Sequence, residues 1–231
     1  MAIYWGVDSA TSSTDLIDGR TLFDIVIEAA GQPPAFWGRY IGELFALTPE
    51  EVDFLHANGC KILVIYNGAT NTLASVQGGF HEGVNDANQA IGAARTLGVP
   101  SGVWIYADLE ASWSPTSEWF QGWSDTMMAS EYGGAGGVYT NCLPAHAANF
   151  NTPYCAAFNH DSNMQGMGPA AALVFSSEPE PGCTSAASAP EFAPAGSPCN
   201  PNTVIWQYAE NCLGGLFDED LANDIGFASM W

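Results

Sequence analysis

The stretch Lys61-Ile-Leu-Val-Ile-Tyr66 contains an unbroken apolar run of strand length after its lysine, with a helix-like segment on either side. Such a run is typical of a strand buried on both faces of a parallel sheet. Before it, Thr48-Pro-Glu-Glu51 combines a capping box with proline at the first helical position, which predicts a helix ending near Asn58-Gly59. After it, apolar residues at helical spacing over 84–94 predict another helix, closed by Gly98. This segment therefore indicates alternating strands and helices.

The same alternation extends outward over the first 140 residues, where further strands are predicted at 3–8, 35–41, 102–108 and 136–140. Five β–α units in series predict a parallel sheet with right-handed crossovers. Beyond residue 140 the rhythm changes, and strands are predicted at 171–177, 203–208 and around 216–218 with few helices between them. We therefore expect an α/β fold: a single TIM-like barrel domain over 1–231, with five β–α units followed by three strands. The first βα turn, Asp8-Ser9-Ala10-Thr11, has no GxGxxG motif, which argues against a dinucleotide-binding sheet.

The charge balance excludes some partners. The chain has 4 Lys and Arg against 25 Asp and Glu, a formal net charge of -21. Such a surface repels phosphate backbones and anionic lipids, so we expect neither nucleic acid nor membrane as a partner. The start, MAIYWGVDSATS, lacks the basic and apolar stretches of a signal peptide. We expect an extracellular or virion-associated protein that carries no signal peptide in this chain.

The six cysteines contain no CxxC pair, and four of them lie between residues 155 and 212. This pattern predicts disulfides in an oxidising environment, stapling a loop near 178–202 that is rich in Pro, Ser and Ala. Pairing does not follow from sequence; Cys183 with Cys199 is the first pairing we expect, and Cys60 is expected to be a buried thiol. The four histidines show no metal-ligand spacing, so we expect no metal and no cofactor.

Polar residues gather where the predicted strands end, at the face of a barrel that carries catalytic residues. These strand-end residues are Asp8, Arg39, Tyr66, Asn67, Asp108, Glu110, Tyr139 and Gln207. The sharpest feature is Ile105-Tyr-Ala-Asp-Leu-Glu110, because residues two apart on a strand share a face with Cα atoms about 6–7 Å apart. Asp108 and Glu110 would then point into the mouth with Tyr106 beneath, and one pKa should rise. Glycoside hydrolysis needs such an acid beside a carboxylate, although a solvated strand-end pair is the plainer interpretation.

The remaining candidates each have a structural alternative. Asp8 is a candidate catalytic acid or a helix N-cap. Arg39 lies in an apolar strand and needs a carboxylate partner, for which Asp8 is the obvious candidate, and the pairing could be wholly structural. Trp206-Gln207-Tyr208 could supply a stacking face and an amide for a sugar, or could be core. Asp218 is the remaining candidate acid; it lies in a short polar stretch, 217–220, that by itself indicates no function.

Several of these motifs occur in a familiar order. They are WGVDSAT (5–11), FWGRYIG (36–42), LTPEEVDFL (47–55), KILVIYN (61–67), DANQAIGAARTLGVP (86–100), IYADLE (105–110), GGVYT (136–140) and IWQYAE (205–210). In this order the chain resembles the bacterial and phage glycoside-hydrolase-like domain of unknown function 1906. More remotely it is similar to the glycoside hydrolase family 25 lysozymes, which are modified barrels of five β–α units and three strands.

The resemblance implies roles for the candidates. Glu110 corresponds to the proton donor, while Asp108, Asp8 and Asp218 correspond to the acids that shape the charge at the scissile bond. The family's Trp-Gln-Tyr corresponds to Trp206, Gln207 and Tyr208, which would contact the substrate. From their positions at or beneath the strand ends, Arg39, Tyr66, Tyr106 and Tyr139 are expected to contact it as well. The implied substrate is the β-1,4 bond between the sugars of peptidoglycan, as for a muramidase. Two residues depart from the family 25 pattern. The first-strand motif of that family is Gly-x-Asp-x-Ser, and here Ser9 comes one place early; Asp220 replaces the family's terminal Asn.

Two other functions compete with this hypothesis. One is a non-catalytic glycan-binding or structural barrel, a module of a phage virion or cell-envelope assembly with other chains as partners. The acidity and the absence of a wall-binding repeat fit that alternative. The other is a chitinase of family 18, which requires a DxxDxDxE strand; here only Asp108 and Glu110 of that motif are present.

Overall fold

The computed structural model describes residues 1–42, 44–145, 147–166, 171–178 and 182–231. Its strands are β1 (Ile3–Asp8), β2 (Leu16–Ile17), β3 (Arg20–Thr21), β4 (Phe36–Tyr40), β5 (Lys61–Tyr66), β6 (Ile105–Asp108), β7 (Gly137–Thr140), β8 (Leu173–Ser177), β9 (Thr203–Asn211) and β10 (Phe217–Asn223). Its helices are α1 (Leu22–Ala30), α2 (Pro49–Ala57), α3 (Phe80–Leu97), α4 (Ser117–Met128), α5 (Ala148–His160), α6 (Ser162–Gln165), α7 (Cys212–Gly215) and α8 (Asp224–Ala228).

Eight strands close into a barrel in the order β1-β10-β9-β8-β7-β6-β5-β4, and β2 and β3 form a separate small hairpin. Each of β1, β4, β5, β6 and β7 is followed by a helix, and β8, β9 and β10 complete the ring. The predicted α/β barrel of five β–α units and three strands is therefore confirmed.

The last strand differs from the prediction of a parallel sheet. β10 covers 217–223 and runs antiparallel to both β9 and β1. Only a short turn joins β9 to β10, whereas a parallel connection needs a crossover of about a dozen residues or more. As a result the start of β10, not its end, lies at the barrel mouth, where Asp218 is opposite Asp8.

The core has two parts because side chains alternate across each strand. On β5, Leu63 and Ile65 belong to the cluster inside the barrel, with Phe36 and Phe175. Ile62, Val64 and Tyr66 belong to the layer between barrel and helices. Since its interior is filled by large side chains, the barrel offers room for chemistry only near its mouth. None of the described helices is long and apolar enough to cross a membrane.

Two disulfides tie the loop around 178–202 to the rest of the chain, although 179–181 of that loop lie outside the described residues. They join Cys155 to Cys199 and Cys183 to Cys212, so the expected pairing of Cys183 with Cys199 is wrong. Each bridge connects the loop to a neighbouring element, α5 or α7, instead of joining two points within the loop. Cys60 is a buried free thiol, as expected, and Cys142 is another.

Candidate active site

Three barrel strands bring aspartates to one end of the barrel. Asp8 ends β1, Asp108 ends β6 and Asp218 lies at the start of β10. Asp8 can point inward because the residue beside it on β4 is Gly38, where a Cβ atom would lie 2.5 Å from the Asp8 Cβ. The predicted acids of the strand ends therefore meet at one mouth.

The Gln207 amide links two of these acids. Its Nε2 group donates hydrogen bonds to Asp8 Oδ2 at 2.8 Å and Asp218 Oδ2 at 3.1 Å. Its Oε1 atom accepts a hydrogen bond from the Tyr139 hydroxyl at 2.8 Å. Both amide atoms are thus engaged, so the side chain has one orientation and holds Asp8 and Asp218 together.

Asp220 lies beside Asp8 and is fully buried. Neither of its oxygens accepts a hydrogen bond from an N–H or hydroxyl donor among the described residues. Burial raises the pKa of both carboxyl groups; their contact raises the pKa of Asp220 further and lowers that of Asp8. Two buried carboxyl groups this close do not both ionise readily, which favours a proton held by the pair, with Asp220 as the group whose pKa the contact raises.

Asp108 occupies a narrow crevice lined also by Asp8, Tyr40 and Tyr139. The crevice has a volume of about 10 Å³, which is room for about one water molecule. The Asp108 Oδ1 atom is buried without a hydrogen-bond partner among the described residues. Burial and, after it, the charge of Glu110 raise the pKa of Asp108 to about 7. Asp108 can therefore hold or release a proton near neutral pH.

Glu110 stands at the rim of the mouth, two residues beyond the end of β6, and its side chain is exposed. It lines an open cavity of about 260 Å³ together with Tyr139, Asn141, Ser177 and Glu210. Partial burial and the charge of Glu210 raise the pKa of Glu110. Tyr139 borders this cavity and the Asp108 crevice alike, so the two form neighbouring parts of one mouth.

The expected ion pair between Arg39 and Asp8 does not form. Arg39 Nε lies 2.9 Å from Glu51 Oε1, and both side chains are buried. Its NH2 group also donates to the Phe45 carbonyl oxygen at 3.1 Å. Because Gly38 faces the barrel interior, strand alternation places Arg39 on the outer side, away from the acids.

Three of the predicted sugar-contacting aromatic residues face the outer core layer, away from the acids, and a fourth is buried below them. Tyr66 stacks on Trp123 of α4, with ring centroids 6.0 Å apart. Trp206 and Tyr208 belong to the outer core layer, where the Tyr208 hydroxyl accepts a hydrogen bond from the indole of Trp5 at 2.9 Å. Tyr106 does lie beneath Asp108, but its hydroxyl is 3.0 Å from the Ser229 Oγ atom, toward the barrel floor. Tyr139 and Gln207 remain at the mouth.

Several mouth residues were not among the predicted site residues, among them Tyr40, Glu210 and Asp220. Tyr40 could have been found from the alternation of β4, since it shares a face with Gly38. Glu210 follows the Trp-Gln-Tyr motif on β9, and Asp220 stands where the resembled family has Asn.

The comparisons with known proteins agree with this fold. The profile of the Rv2525c-like, glycoside hydrolase-like domain matches residues 29–208. An uncharacterized protein of B. stearothermophilus has a similar crystal structure, with 29% identity, 99% of this chain and 100% of that chain covered, and a TM-score of 0.84. No curated protein matches this sequence.

Two further solved structures share the fold at lower identity. The Tat-secreted protein Rv2525c of Mycobacterium tuberculosis, solved with L-tartrate, has 17% identity, 96% coverage of both chains and a TM-score of 0.61. A family GH25 lysozyme from Aspergillus fumigatus has 12% identity, 96% of this chain and 94% of that chain covered, and a TM-score of 0.54. With the family profile spanning most of the barrel, the chain belongs to the Rv2525c-like, glycoside hydrolase-like domain family.

Proposed function

We propose that this protein hydrolyses the β-1,4 glycosidic bonds of peptidoglycan, with Glu110 as the general acid. The observation that carries the proposal is the position of Glu110 on an open cavity directly beside a group of buried carboxyl groups. A general acid needs access to the leaving oxygen and a pKa above the usual range, and Glu110 has both features.

The buried acids supply the complementary charge. Glycoside hydrolysis passes through a transition state that resembles an oxocarbenium ion and therefore develops positive charge on the sugar. Asp8, held by Gln207, offers a fixed carboxyl oxygen near that charge. The pKa values of Asp108 and Asp218 are raised to about 7 and about 6. These two groups therefore gain or lose protons near neutral pH and so change the charge of the mouth.

The chain's own cations do not neutralise these acids. Arg20, Arg39 and Arg95 pair with Glu28, Glu51 and Glu131, and Lys61 donates to carbonyl oxygens of the last helix and the residues after it. The mouth therefore favours a neutral part of a substrate, such as the sugar ring itself. Anionic parts of a wall polymer would have to lie outside it. The resemblance to family 25 lysozymes supports peptidoglycan as that polymer.

One observation favours a second function, glycan binding without turnover. The crevice between Asp8, Tyr40 and Asp108 holds only about one water molecule, so a sugar cannot enter it in this conformation. A barrel that binds glycan at the Glu110 rim, as part of an envelope or virion assembly, would need no deeper access. In either case two disulfides fit an exported or extracellular location, as for Tat-secreted Rv2525c.

A reducing-sugar assay on purified peptidoglycan tests the proposal with three proteins: the wild type, Glu110→Gln, and Glu50→Gln as a matched control on the exposed face of α2. We expect product from the wild type and the control, and a fall of about 10²-fold or more for Glu110→Gln at an unchanged melting temperature. Equal product from all three would reject Glu110 as the acid. Binding of labelled glycan fragments without product from the wild type would favour the second function.

A further inference from the structure

The turn that joins β9 to β10 has an unusual backbone. Asn211, Leu213, Gly214 and Gly215 have φ angles of 59°, 50°, 81° and 92°. Glycine adopts this left-handed region without cost, but Asn and especially Leu adopt it rarely. A turn with such residues persists only where the surrounding structure holds it.

Several contacts hold this turn from outside. Cys212 at its start is buried and bonded to Cys183 of the long loop. Next to Cys183, the backbone N–H of Thr184 donates to Glu219 Oε2 at 2.8 Å, which fixes the loop on β10. At the other end of the turn, the Ser9 hydroxyl donates to the Leu216 carbonyl oxygen at 2.6 Å. Of these contacts the disulfide is the covalent one, and the other two are hydrogen bonds.

The turn has a direct contact with the acid site. The backbone N–H of Asn211 donates to Asp218 Oδ1 at 2.6 Å, while the other oxygen of Asp218 accepts from Gln207. A hydrogen bond to a carboxylate is stronger than one between neutral groups and depends on the donor's position. This bond opposes the effects of burial and of Glu210, both of which raise the pKa of Asp218.

We propose that the Cys183–Cys212 disulfide is a positioning element of the acid site, holding the turn that keeps the Asn211 N–H on Asp218. The site is then fully assembled only while this bridge is oxidised. Cys183 is exposed, so a dithiol reductant can reach its sulfur. The attacking thiolate bonds to Cys183 and expels Cys212 as a thiolate, which takes up a proton. The second thiol of the reductant then releases Cys183 as a thiol and becomes part of a disulfide itself.

The second bridge provides a matched control. Cys155–Cys199 joins α5 to the far end of the same loop, and the hydroxyl near it is that of Ser197, with no acid of the mouth among its described contacts. Replacing either pair by alanine removes one covalent tie from the same loop. Only the loss of Cys183–Cys212 should alter Asp218.

The test compares the wild type with Cys183→Ala/Cys212→Ala and Cys155→Ala/Cys199→Ala. We follow the carboxyl carbon of Asp218 by NMR through a pH titration and measure hydrogen exchange at the Asn211 amide. In the first double variant we expect the apparent pKa of Asp218 to rise by about one unit or more, with faster amide exchange. The control variant should match the wild type. Neither measurement requires turnover, so they decide the proposal even if the protein does not hydrolyse glycan.

The expected effect on rate rests on the proposed function: a fall in kcat of about 10²-fold in the first variant with KM nearly unchanged. If that variant fails to fold, timed reduction of the wild type by dithiothreitol replaces it, with alkylation and mass analysis to identify the opened bridge. Opening of Cys183–Cys212 should then coincide with the change at Asp218. An unchanged Asp218 titration after its loss, or an equal change after loss of Cys155–Cys199, would overturn the proposal.

Discussion

Asp8 and Asp218 lie directly opposite each other where the first and last barrel strands pair, and one amide group, Gln207 Nε2, donates to both. Two carboxyl groups this close do not both ionise readily, because each charge raises the free energy of the other. Asp108 and Asp220 add two more buried acids at the same mouth. The number of protons bound by these four carboxyl groups therefore sets the charge of the site.

Stability should fall as pH rises through neutrality. The pKa of Asp108 is raised to about 7 and that of Asp218 to about 6, whereas an unfolded Asp has a pKa of about 3.9. Between about pH 4 and 7 the folded chain thus binds more protons than the unfolded chain, so acid stabilises it in that window. We expect a higher melting temperature at pH 5 than at pH 8.

Two variants test whether Asp108 contributes to this dependence of melting temperature on pH. Asp108→Asn should reduce the slope of melting temperature against pH, because one of the groups that titrate is gone. Asp53→Asn, a matched change on the exposed face of α2, should leave the slope as in the wild type. An unaltered slope in Asp108→Asn would show that the excess of bound protons lies elsewhere.

Asp220 should tolerate asparagine better than alanine. An amide keeps the donor that a protonated Asp220 offers to Asp8 and cannot lose it at high pH. We expect Asp220→Asn to melt at or above the wild-type temperature at pH 8, and Asp220→Ala to lose about 1–3 kcal/mol. Denaturant unfolding at pH 8 measures both. Destabilisation of the two variants by the same amount would argue against a proton on Asp220.

Arg39 should matter mainly for stability, since among the described residues it contacts the acid site only through the Ser9 carbonyl oxygen. Its partner Glu51 is buried, so Arg39→Met leaves an unpaired buried charge, at a cost of about 3–5 kcal/mol. Arg95→Met at the exposed pair with Glu131 is the control and should change the melting temperature little. Under the proposed function, Arg39→Met should keep the wild-type kcat on peptidoglycan below its melting temperature. A selective loss of kcat would instead place Arg39 in the site.

Gly38 should resist any side chain. An added Cβ would meet the Asp8 Cβ at 2.5 Å, so Gly38→Ala must shift β1 or Asp8 and lower both stability and hydrolysis. Gly92, exposed on α3 with nothing near an added Cβ, is the control. Gly92→Ala should stabilise the protein by about 1 kcal/mol, since alanine favours helices. Thermal unfolding should give a lower melting temperature than the wild type for Gly38→Ala and a higher one for Gly92→Ala.

Much of the architecture was predictable because local patterns control it. The apolar run at 62–66 and the capping box at 48–51 each correspond to an observed element, β5 and the start of α2. The count of five β–α units followed by three strands was likewise recoverable from spacing. The direction of β10 was not, because it depends on the length of the preceding turn and not on the strand's own residues.

The site was only partly predictable for a similar reason. Successive strand residues face opposite sides, so Trp206, Gln207 and Tyr208 could not all face the mouth, and only Gln207 does. Alternation alone does not say which set points inward; tertiary packing decides that. The Arg39 partner and the disulfide pairing depend on distances between remote segments, and these have no signature in a single sequence.

Residues 3 and 223 both lie at the floor of the barrel, because β1 starts there and the reversed β10 ends there. Ile3 pairs with Asn223 at the floor, and the backbone of Trp231 bonds to Ile62 at the start of β5, on the side opposite the acids. A tag, bead or fused carrier attached at residue 1 or 231 would therefore lie at the floor of the barrel, opposite the mouth. Immobilised in this way, the protein would present its acidic mouth outward to an insoluble polymer too large to diffuse.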